Sequence, residues 1–431
     1  MNNRICEWEF IDNRLQMRTQ SLNISLYFTD ERVLRLQCTK RIDGSACDTS
    51  ILDSQPEPVA VRFYEGEGEL LFYSESITAI IGISNFSIRV QTKDGRELFK
   101  SADERALETK TGMTIFRLHY GPDERIYGLG QDPMARLDHR DNERRMWNRT
   151  DRRRRSGNNG IPFYSSSAGY GLFLNSYLPA RFAVGRAYTP EAPELRTGPD
   201  GEDPNPDPWP YNQKNPESHP DEISVIHDHD GLDLFFLCME QLDDIQSKYC
   251  ELTGHAILLP RWAFGLIQSK NRYRSMQELM MIAKRYREKG IPLDCLVIDW
   301  LWFKEFGDLA WDEEYWPEPE KGIKELAELG IRVMQAQHPF IDRQSMKYPS
   351  MLKKGYLSRV PENYRPTYDF TNPEASEHWW NNEAAPLYRT GIRAYWTDMS
   401  EPEDDHPQTG YFIGGRDRAH NQYALLWSRA L

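Results

Sequence analysis

The stretch Ala394-Tyr395-Trp396-Thr397-Asp398-Met399-Ser400-Glu401-Pro402 decides the fold predicted for this chain. Its apolar strand pattern ends in a carboxylate, Asp398, beside an indole, and the chain must then turn before a proline. Catalytic carboxylates of α/β barrels stand at the carboxyl ends of strands. The stretch therefore predicts a barrel strand that ends in a functional acid.

Three helical stretches each end in Gly-Ile and lead into an apolar strand, at Gly290, Gly330 and Gly391. Glycine is favoured just past a helix because it adopts a positive φ without strain. Ser275-Met276-Gln277-Glu278 and Asn372-Pro373 are typical helix starts, a capping box and a cap followed by proline. Repeated helix–strand units of this kind predict a parallel sheet with helical crossovers.

A first strand at Phe264-Gly265-Leu266-Ile267 brings the number of strands in this region to four. Polar residues follow each strand, namely Gln268-Ser269-Lys270, Asp299, Gln337-His338 and Asp398. Four such ends on one rim predict the first half of a (β/α)8 barrel. A doubly wound open sheet is the structural alternative, although no glycine-rich phosphate turn follows the first strand.

The earlier part of the chain has the pattern of short antiparallel strands. Phe86, Ile88 and Val90 alternate with polar residues, and a turn at Lys93-Asp94-Gly95 precedes a second strand, which predicts a hairpin. Similar strands recur at 26–28, 33–36, 70–73 and 169–175, and no long helical period competes with them. We therefore predict a two-sheet β-sandwich over residues 1–255 and the first part of a barrel over residues 256–431.

Two irregular segments interrupt the sandwich pattern. Arg152 to Arg155 form a four-arginine run, which is typical of a solvated loop, with contact to an anionic ligand as the alternative. Residues 187–220 are rich in proline and predict an excursion that could cover a neighbouring site.

Composition excludes several classes of function. The net charge of −13 argues against a nucleic acid or an anionic membrane as partner. No run of apolar residues is long enough to span a bilayer, and the first residues lack the apolar centre of a signal peptide. The six cysteines show no metal-type spacing, so we expect reduced thiols in a cytoplasmic protein. The sequence does not decide whether the protein forms a homo-oligomer.

The motifs of cofactor and metal enzymes are missing from the sequence. It contains no phosphate-binding loop, no dinucleotide turn followed by a helix, no metal-ligand spacing and no nucleophile elbow, so we expect no cofactor. Asp299 and Asp398 remain on the predicted rim, with Trp300, Trp302 and Trp396 near them. Carboxylates beside aromatic side chains suit glycoside chemistry, but ordinary caps, salt bridges and core indoles explain the same residues.

The chain resembles glycoside hydrolase family 31, the α-glucosidase and α-xylosidase family, over nearly its whole length. The stretch Trp396 to Pro402 is similar to the nucleophile motif of that family. Further matching segments are Tyr127-Gly128-Leu129-Gly130, Trp147-Asn148, Ile161-Pro162-Phe163-Tyr164, Phe264 to Tyr273, Asp299-Trp300-Leu301-Trp302, Trp311-Asp312, Trp316 to Pro319 and Tyr368-Asp369-Phe370-Thr371-Asn372-Pro373. The resemblance implies a galactose-mutarotase-like sandwich before the barrel.

The resemblance also implies roles for individual residues. Asp398 is expected to be the nucleophile of a mechanism that retains anomeric configuration, and Asp299 to bind sugar hydroxyls. Trp300, Trp302, Trp396 and His338 are the further candidates for contacts with substrate. Such a mechanism needs a second carboxyl as acid/base, about 5 to 5.5 Å from the first.

Two departures from the family pattern affect these expectations. Ala336 occupies the end of the third strand, where the family usually has a tryptophan, so one aromatic wall is expected to be absent. Only 33 residues follow Asp398, and Asp404 and Asp405 are in the wrong place for the acid/base. We therefore expect the chain to be the N-terminal part of a larger enzyme, with the acid/base beyond residue 431.

The resulting hypothesis is a retaining α-glycoside hydrolase of the α-glucosidase or α-xylosidase type that acts on an α-linked oligosaccharide or glycoside. The segment from Asp299 to Pro319 favours the xylosidase side. An α-glucan lyase or transglycosylase of the same family would keep the same nucleophile. The alternative from another class is a non-catalytic carbohydrate-binding fragment.

Overall fold

The computed structural model describes residues 3–40, 51–131, 136–151, 156–187, 209, 213–402 and 405–431. The four-arginine run and most of the proline-rich excursion lie outside these ranges. The chain divides into two compact units, and the main division falls between His255 and Ala256. None of the helices in the described ranges is long and apolar enough to cross a membrane.

The first unit consists mainly of antiparallel strands. In chain order, its described strands are β1 (Glu7–Ile11), β2 (Arg14–Arg18), β3 (Leu22–Asp30), β4 (Val33–Lys40), β5 (Arg62–Glu65), β6 (Glu69–Tyr73), β7 (Ile77–Gly82), β8 (Ser87–Thr92), β9 (Glu97–Lys100), β10 (Leu107–Lys110), β11 (Met113–His119), β12 (Ile126–Gly128), β13 (Asn142–Met146), β14 (Arg149–Asp151), β15 (Ser156–Asn158), β16 (Phe163–Ser166), β17 (Tyr170–Leu174), β18 (Ala180–Val184), β19 (Glu222–His227) and β20 (Gly231–Leu237).

These strands form three main sheets and one small hairpin, β14–β15. The largest sheet has the order β1-β2-β3-β4-β20-β17-β16-β12, a second has the order β10-β11-β19-β18-β13, and the third is the meander β5 to β9. Buried side chains from all three main sheets meet in one core, for example Leu26, Phe72, Phe116 and Phe236. The predicted β-sandwich is confirmed, and the meander is an additional sheet that the strand pattern did not separate from the other two.

The hairpin predicted around Lys93-Asp94-Gly95 is β8–β9. Phe86, Ile88 and Val90 are buried, and Gly95 has the positive φ (87°) that the turn requires. The buried alternation and the turn residue therefore specify this hairpin from local sequence alone.

The first unit also contains a helix that the strand pattern does not predict, α1 (Leu242–Thr253). The apolar stripe of this helix is narrow, consisting of Ile245, Tyr249 and Leu252. The stripe covers the outer face of the largest sheet, where the Tyr249 ring stacks on Phe163 with ring centroids 4.1 Å apart. Burial against the sheet, rather than a strong helical period, stabilises this helix.

The second unit alternates helices with parallel strands. Its described strands and α-helices are β21 (Ile267–Gln268), α2 (Met276–Glu288), β22 (Cys295–Ile298), α3 (Pro319–Glu328), β23 (Arg332–Gln337), α4 (Tyr348–Lys354), α5 (Pro373–Trp379), α6 (Ala385–Arg389), β24 (Ala394–Thr397), β25 (Gly410–Tyr411), β26 (Gly414–Gly415), α7 (Arg416–Ala419) and α8 (Tyr423–Ala430). Short 3₁₀ or π turns lie at Arg261–Phe264, Trp380–Ala384 and His420–Gln422.

The four strands pair in parallel in the order β21-β22-β23-β24, as predicted for the beginning of a barrel. The first strand is shorter and later than predicted. Phe264 belongs to a 3₁₀ turn, and β21 contains only Ile267 and Gln268. The run 264–267 does not distinguish a strand from a helical turn, because so short an apolar stretch is compatible with either.

The predicted helix starts are present. Ser275 Oγ accepts a hydrogen bond from the Glu278 backbone N–H at 3.2 Å, and Asn372 Oδ1 accepts one from the Glu374 N–H at 3.0 Å. Leu279 and Ala283 of α2 are buried in the core of this unit together with Leu296 and Ile298 of β22. The helices therefore pack on one face of the sheet and leave the strand ends to form a rim.

A buried ion pair in the first unit provides a test of the sandwich. Arg35 on β4 and Asp233 on β20 lie 2.6 Å apart at their charged atoms, and their side chains are only 5% and 6% exposed. We expect Asp233→Ala to lower the free energy of unfolding by about 3–5 kcal/mol, because it leaves the guanidinium buried and uncompensated. Urea unfolding followed by circular dichroism measures this loss.

The matched control is the double variant R35M/D233L, which replaces both charges with apolar groups of similar size. It should lose clearly less stability than Asp233→Ala. An equal loss in the two proteins would contradict the view that uncompensated charge is the cause.

Candidate active site

The register of β23 and β24 positions the centre of the candidate site. Gln337 pairs with Thr397 at the ends of these strands, so His338 and Asp398 are the next residues on each. The Asp398 backbone N–H continues the ladder and donates to the Gln337 carbonyl at 2.9 Å. Residues at equal height on neighbouring parallel strands project to the same side, which explains why the two side chains meet.

Two groups surround the Asp398 carboxylate. The Met399 backbone N–H donates to Oδ1 at 2.9 Å, and His338 Nε2 lies 3.3 Å from Oδ2. Met399 has a left-handed backbone conformation with φ of 61°, unusual for a residue with a side chain. The Asp398 side chain is 34% exposed, so the carboxylate is accessible to a ligand while its orientation is restrained.

Asp299 has a similar local arrangement at the end of β22. Its Oδ1 accepts the backbone N–H of the following residue, Trp300, at 2.7 Å, and the left-handed residue Leu301 comes next. β22 and β24 are separated only by β23, so the two carboxylate-bearing strand ends are about 10 Å apart. The sheet thus places both predicted acids on the same rim.

Trp300 lies beside Asp299 and is only partly buried. Its Nε1–H donates to Asn271 Oδ1 at 2.8 Å, and the Arg272 guanidinium carbon lies 5.4 Å from the ring centroid. Both neighbours come from the segment after β21, and Arg272 is also left-handed, with φ of 63°. Sequence reasoning does not single out Asn271 or Arg272, and their polarity after a strand is the only available signal.

Trp302 and Trp396, both predicted to contact substrate, differ in exposure. Trp396 is 39% exposed, whereas Trp302 is fully buried. The Trp302 Nε1–H donates to the Ala336 carbonyl at 2.9 Å, and its ring packs against Phe303 and Trp311. Trp302 therefore offers no surface to a ligand in this structure and supports the third strand instead.

Ala336, the residue at the expected tryptophan position, pairs directly with Trp396 across β23 and β24. Its side chain is fully buried and points to the same side of the sheet as the Trp396 ring. On this face of β23 and β24, the indole of Trp396 is therefore exposed, while Ala336 contributes no aromatic ring.

His338 is almost fully buried, unlike the carboxylate it faces. Its side chain is 5% exposed, and its ring lies edge-on to Phe306, with centroids 5.1 Å apart and planes at 78°. Phe303 makes a second edge-on contact at 6.2 Å. Little of the His338 ring is therefore exposed for the predicted contact with sugar. The ring instead lies against Asp398.

The segment after Asp398 contains a buried polar cluster, centred on Asp405, whose contacts no sequence motif indicates. Asp405 is fully buried; its Oδ1 accepts from Tyr411 Oη at 3.0 Å and its Oδ2 lies 2.7 Å from His420 Nδ1. Nearby, Asp369 Oδ2 accepts from the Phe412 backbone N–H at 2.6 Å, and burial raises the pKa of Asp369. Both carboxylates are buried and bonded to groups in residues 411–420, so neither is accessible to a ligand at the surface.

The residues at the rim do not have the arrangement of metal ligands. Within the described ranges, no group of three or more His, Cys, Asp and Glu side chains is arranged to hold a metal ion. The rim combines two carboxylates, a buried imidazole and two partly exposed indoles, a set that suits a polar ligand with apolar faces, such as a sugar.

Two family models match the chain. The "Glycosyl hydrolases family 31 TIM-barrel domain" matches residues 256–431, and the "Glycosyl hydrolase 31 N-terminal galactose mutarotase-like domain" matches residues 23–182. Among curated relatives, an α-xylosidase of Saccharolobus solfataricus is 28% identical over 366 residues, which are 84% of this chain and 43% of that protein. Alpha-glucosidase 2 of Bacillus thermoamyloliquefaciens is 22% identical over 400 residues, 88% of this chain and 46% of the relative.

Solved structures agree on the fold. A family 31 dextranase of Flavobacterium johnsoniae, complexed with glucose, superposes with a TM-score of 0.83 at 21% identity and covers 100% of this chain and 52% of its own. A family 31 α-xylosidase from a soil metagenome, complexed with xylose, gives 0.82 at 22% identity, with 98% and 62% covered. The chain thus spans about half the length of the curated relatives it matches.

The contrast between the two indoles generates a stability test. We expect Trp302→Phe to lower the free energy of unfolding by about 1–3 kcal/mol, because it removes a buried donor from the Ala336 carbonyl. Trp396→Phe, at a partly exposed position, should change it by less than about 1 kcal/mol. Urea unfolding followed by circular dichroism compares the two, and equal losses would argue against a supporting role specific to Trp302.

Proposed function

The chain belongs to glycoside hydrolase family 31, and on that premise we propose that it provides the nucleophile and sugar-binding residues of a retaining α-glycosidase. The observation that supports this most is the placement of Asp398. Its carboxylate stands at the end of a parallel strand, accessible, oriented by the Met399 N–H, and beside an exposed indole. An accessible, restrained carboxylate next to an aromatic face fits attack on a sugar ring.

In the proposed reaction, an oxygen of Asp398 bonds to the anomeric carbon of the sugar. The bond from that carbon to the leaving oxygen breaks, its electron pair stays on the leaving oxygen, and a general acid supplies the proton. Water, deprotonated by the same group, then displaces the carboxylate and restores the configuration of the starting glycoside. A covalent sugar ester on Asp398 is the intermediate.

The general acid is a separate carboxyl in this proposal. Asp405 does not fit the role, because it is fully buried and both of its oxygens are engaged by Tyr411 and His420. Asp404 lies outside the described residues. The proposal therefore assigns no residue of this chain as the proton donor.

Asp299 is proposed to bind hydroxyl groups of the sugar that Asp398 attacks. One of its oxygens is held by the Trp300 N–H, which leaves the other with capacity to accept hydrogen bonds from a ligand. Trp300 and Trp396 are proposed as the aromatic walls, since both retain exposed surface. Trp302 is proposed to support the third strand through its hydrogen bond to the Ala336 carbonyl. His338 is almost fully buried, so it is not proposed to contact the sugar directly.

The proposed substrate is an α-linked xyloside or glucoside. The relatives described above include an α-xylosidase and an α-glucosidase, and the sequence from Asp299 to Pro319 favours the former. Hydrolysis, transfer to a second sugar and elimination can all begin with an adduct on Asp398. Analysis of products from aryl α-xylosides and α-glucosides separates these outcomes and measures the preference between the two sugars.

The decisive experiment is covalent labelling. We expect 5-fluoro-α-xylosyl fluoride or its glucosyl counterpart to label Asp398, and Asp398→Ala to abolish labelling without loss of the fold. Because fluoride leaves without protonation, this reagent tests Asp398 independently of the general acid. Mass spectrometry of peptides locates the adduct; an adduct on a different residue would sink the assignment.

Asp299→Asn tests the second carboxylate. If Asp299 binds hydroxyls more strongly in the transition state than in the ground state, the second-order rate constant of labelling should fall by more than about tenfold, or 1.4 kcal/mol. The matched control is Asp312→Asn, on the segment after β22, where the carboxylate accepts the Glu314 backbone N–H at 3.2 Å. This control should leave the rate unchanged. Unaltered kinetics in Asp299→Asn would make Asp299 a structural cap.

A further inference from the structure

We propose that His338 is a positioning residue for Asp398, a buried ring that presents its Nε2–H to Oδ2 of the nucleophile and holds the carboxylate in its reactive orientation. The inference rests on the proposed function of Asp398 and deepens it. It replaces direct contact with sugar, the role expected for His338 from the sequence, by a role exerted through the nucleophile.

The first step is the restraint on the carboxylate. The final torsion of an aspartate side chain is broad and roughly two-fold, so a single hydrogen bond leaves considerable freedom. Here Oδ1 is bonded to the Met399 N–H, and His338 Nε2 lies 3.3 Å from Oδ2. This distance is long for a charge-assisted bond, and such contacts commonly tighten when substrate binds. Donors on both oxygens would then select one orientation.

The second step is the rigidity of the histidine ring. Phe306 and Phe303 contact the ring edge-on, and Phe306 is itself fixed by Asp342. Asp342 Oδ2 accepts from the Phe306 N–H at 3.2 Å, and the Asp342 N–H donates to the Phe306 carbonyl at 2.8 Å. Arg365 closes the other side, with its guanidinium carbon 4.8 Å from the Phe306 centroid. The imidazole therefore cannot turn away from Asp398 without displacing Phe303 or Phe306, and Phe306 is held by Asp342.

The two ring nitrogens of His338 have different surroundings. Nδ1 is buried and has no hydrogen-bond partner among the described residues, whereas Nε2 lies 3.3 Å from Asp398 Oδ2. An ionised carboxylate oxygen can only accept a hydrogen bond, so the nitrogen that faces it is the one that carries a hydrogen in the proposed contact.

A restrained carboxylate suits the proposed reaction. One oxygen of Asp398 must bond to the anomeric carbon of the sugar, and correct geometry alone is worth large factors in rate.

The test compares two variants of similar length. His338→Gln keeps an N–H near the position of Nε2, and His338→Met removes it. We expect the limiting rate of labelling by the 5-fluoroglycosyl fluorides to fall by at least about tenfold in His338→Met and by no more than about threefold in His338→Gln. The reagent concentration that gives half the limiting rate should change little in either.

The outcomes separate the possible roles. A rise in the half-saturating concentration with an unchanged limiting rate would make His338 a sugar-binding residue and overturn the proposal. Equal slowing of both variants, or slowing of neither, would also overturn it. An unlabelled parent protein overturns the assignment of Asp398 together with this role of His338. Melting curves establish that each variant is folded.

A second measurement is independent of activity. In the full chain with ¹⁵N-labelled histidine, the His338 signals are identified by their absence in His338→Gln. We expect Nε2 to carry a hydrogen, with a changed Nε2 shift in Asp398→Asn. An Nε2 without a hydrogen, or an Nε2 shift that is insensitive to Asp398→Asn, contradicts the proposal even if labelling proceeds normally.

Discussion

The in-register pairing of β23 with β24 is the constraint on which the candidate site depends. Gln337 lies opposite Thr397, and His338 and Asp398 are the next residues on the two strands. Their side chains therefore meet at the rim. Side chains alternate along a strand with period two, so a slip of one residue would send Asp398 towards the helices. No local feature of either segment could restore the contact after such a slip.

The register is maintained from behind the sheet. Leu296, Ile298 and Val333 are buried against the helices of this unit, and a slip would expose this apolar face. Trp302 adds a second restraint, because its indole N–H reaches the Ala336 carbonyl on the third strand from the segment after the second. The packing that stabilises the unit is thus also what aligns Asp398 with His338.

Local sequence was sufficient for the elements and insufficient for the contacts between them. Capping residues, glycines after helices and alternating apolar residues each act within a few positions, so the four parallel strands and the sandwich could be predicted. Trp302 and Trp396 look equivalent in sequence, but one donates into the sheet and is fully buried while the other is exposed. The difference depends on where the loop after β22 returns, which no local pattern specifies.

The pairing of His338 with Asp398 shows the same limit more sharply. The two residues are 60 positions apart in sequence, and only the register of the finished sheet brings them together. The helix α1 illustrates the opposite case, in which a weak local pattern becomes a helix because a sheet face needs covering. In both, tertiary packing decides what the sequence alone leaves open.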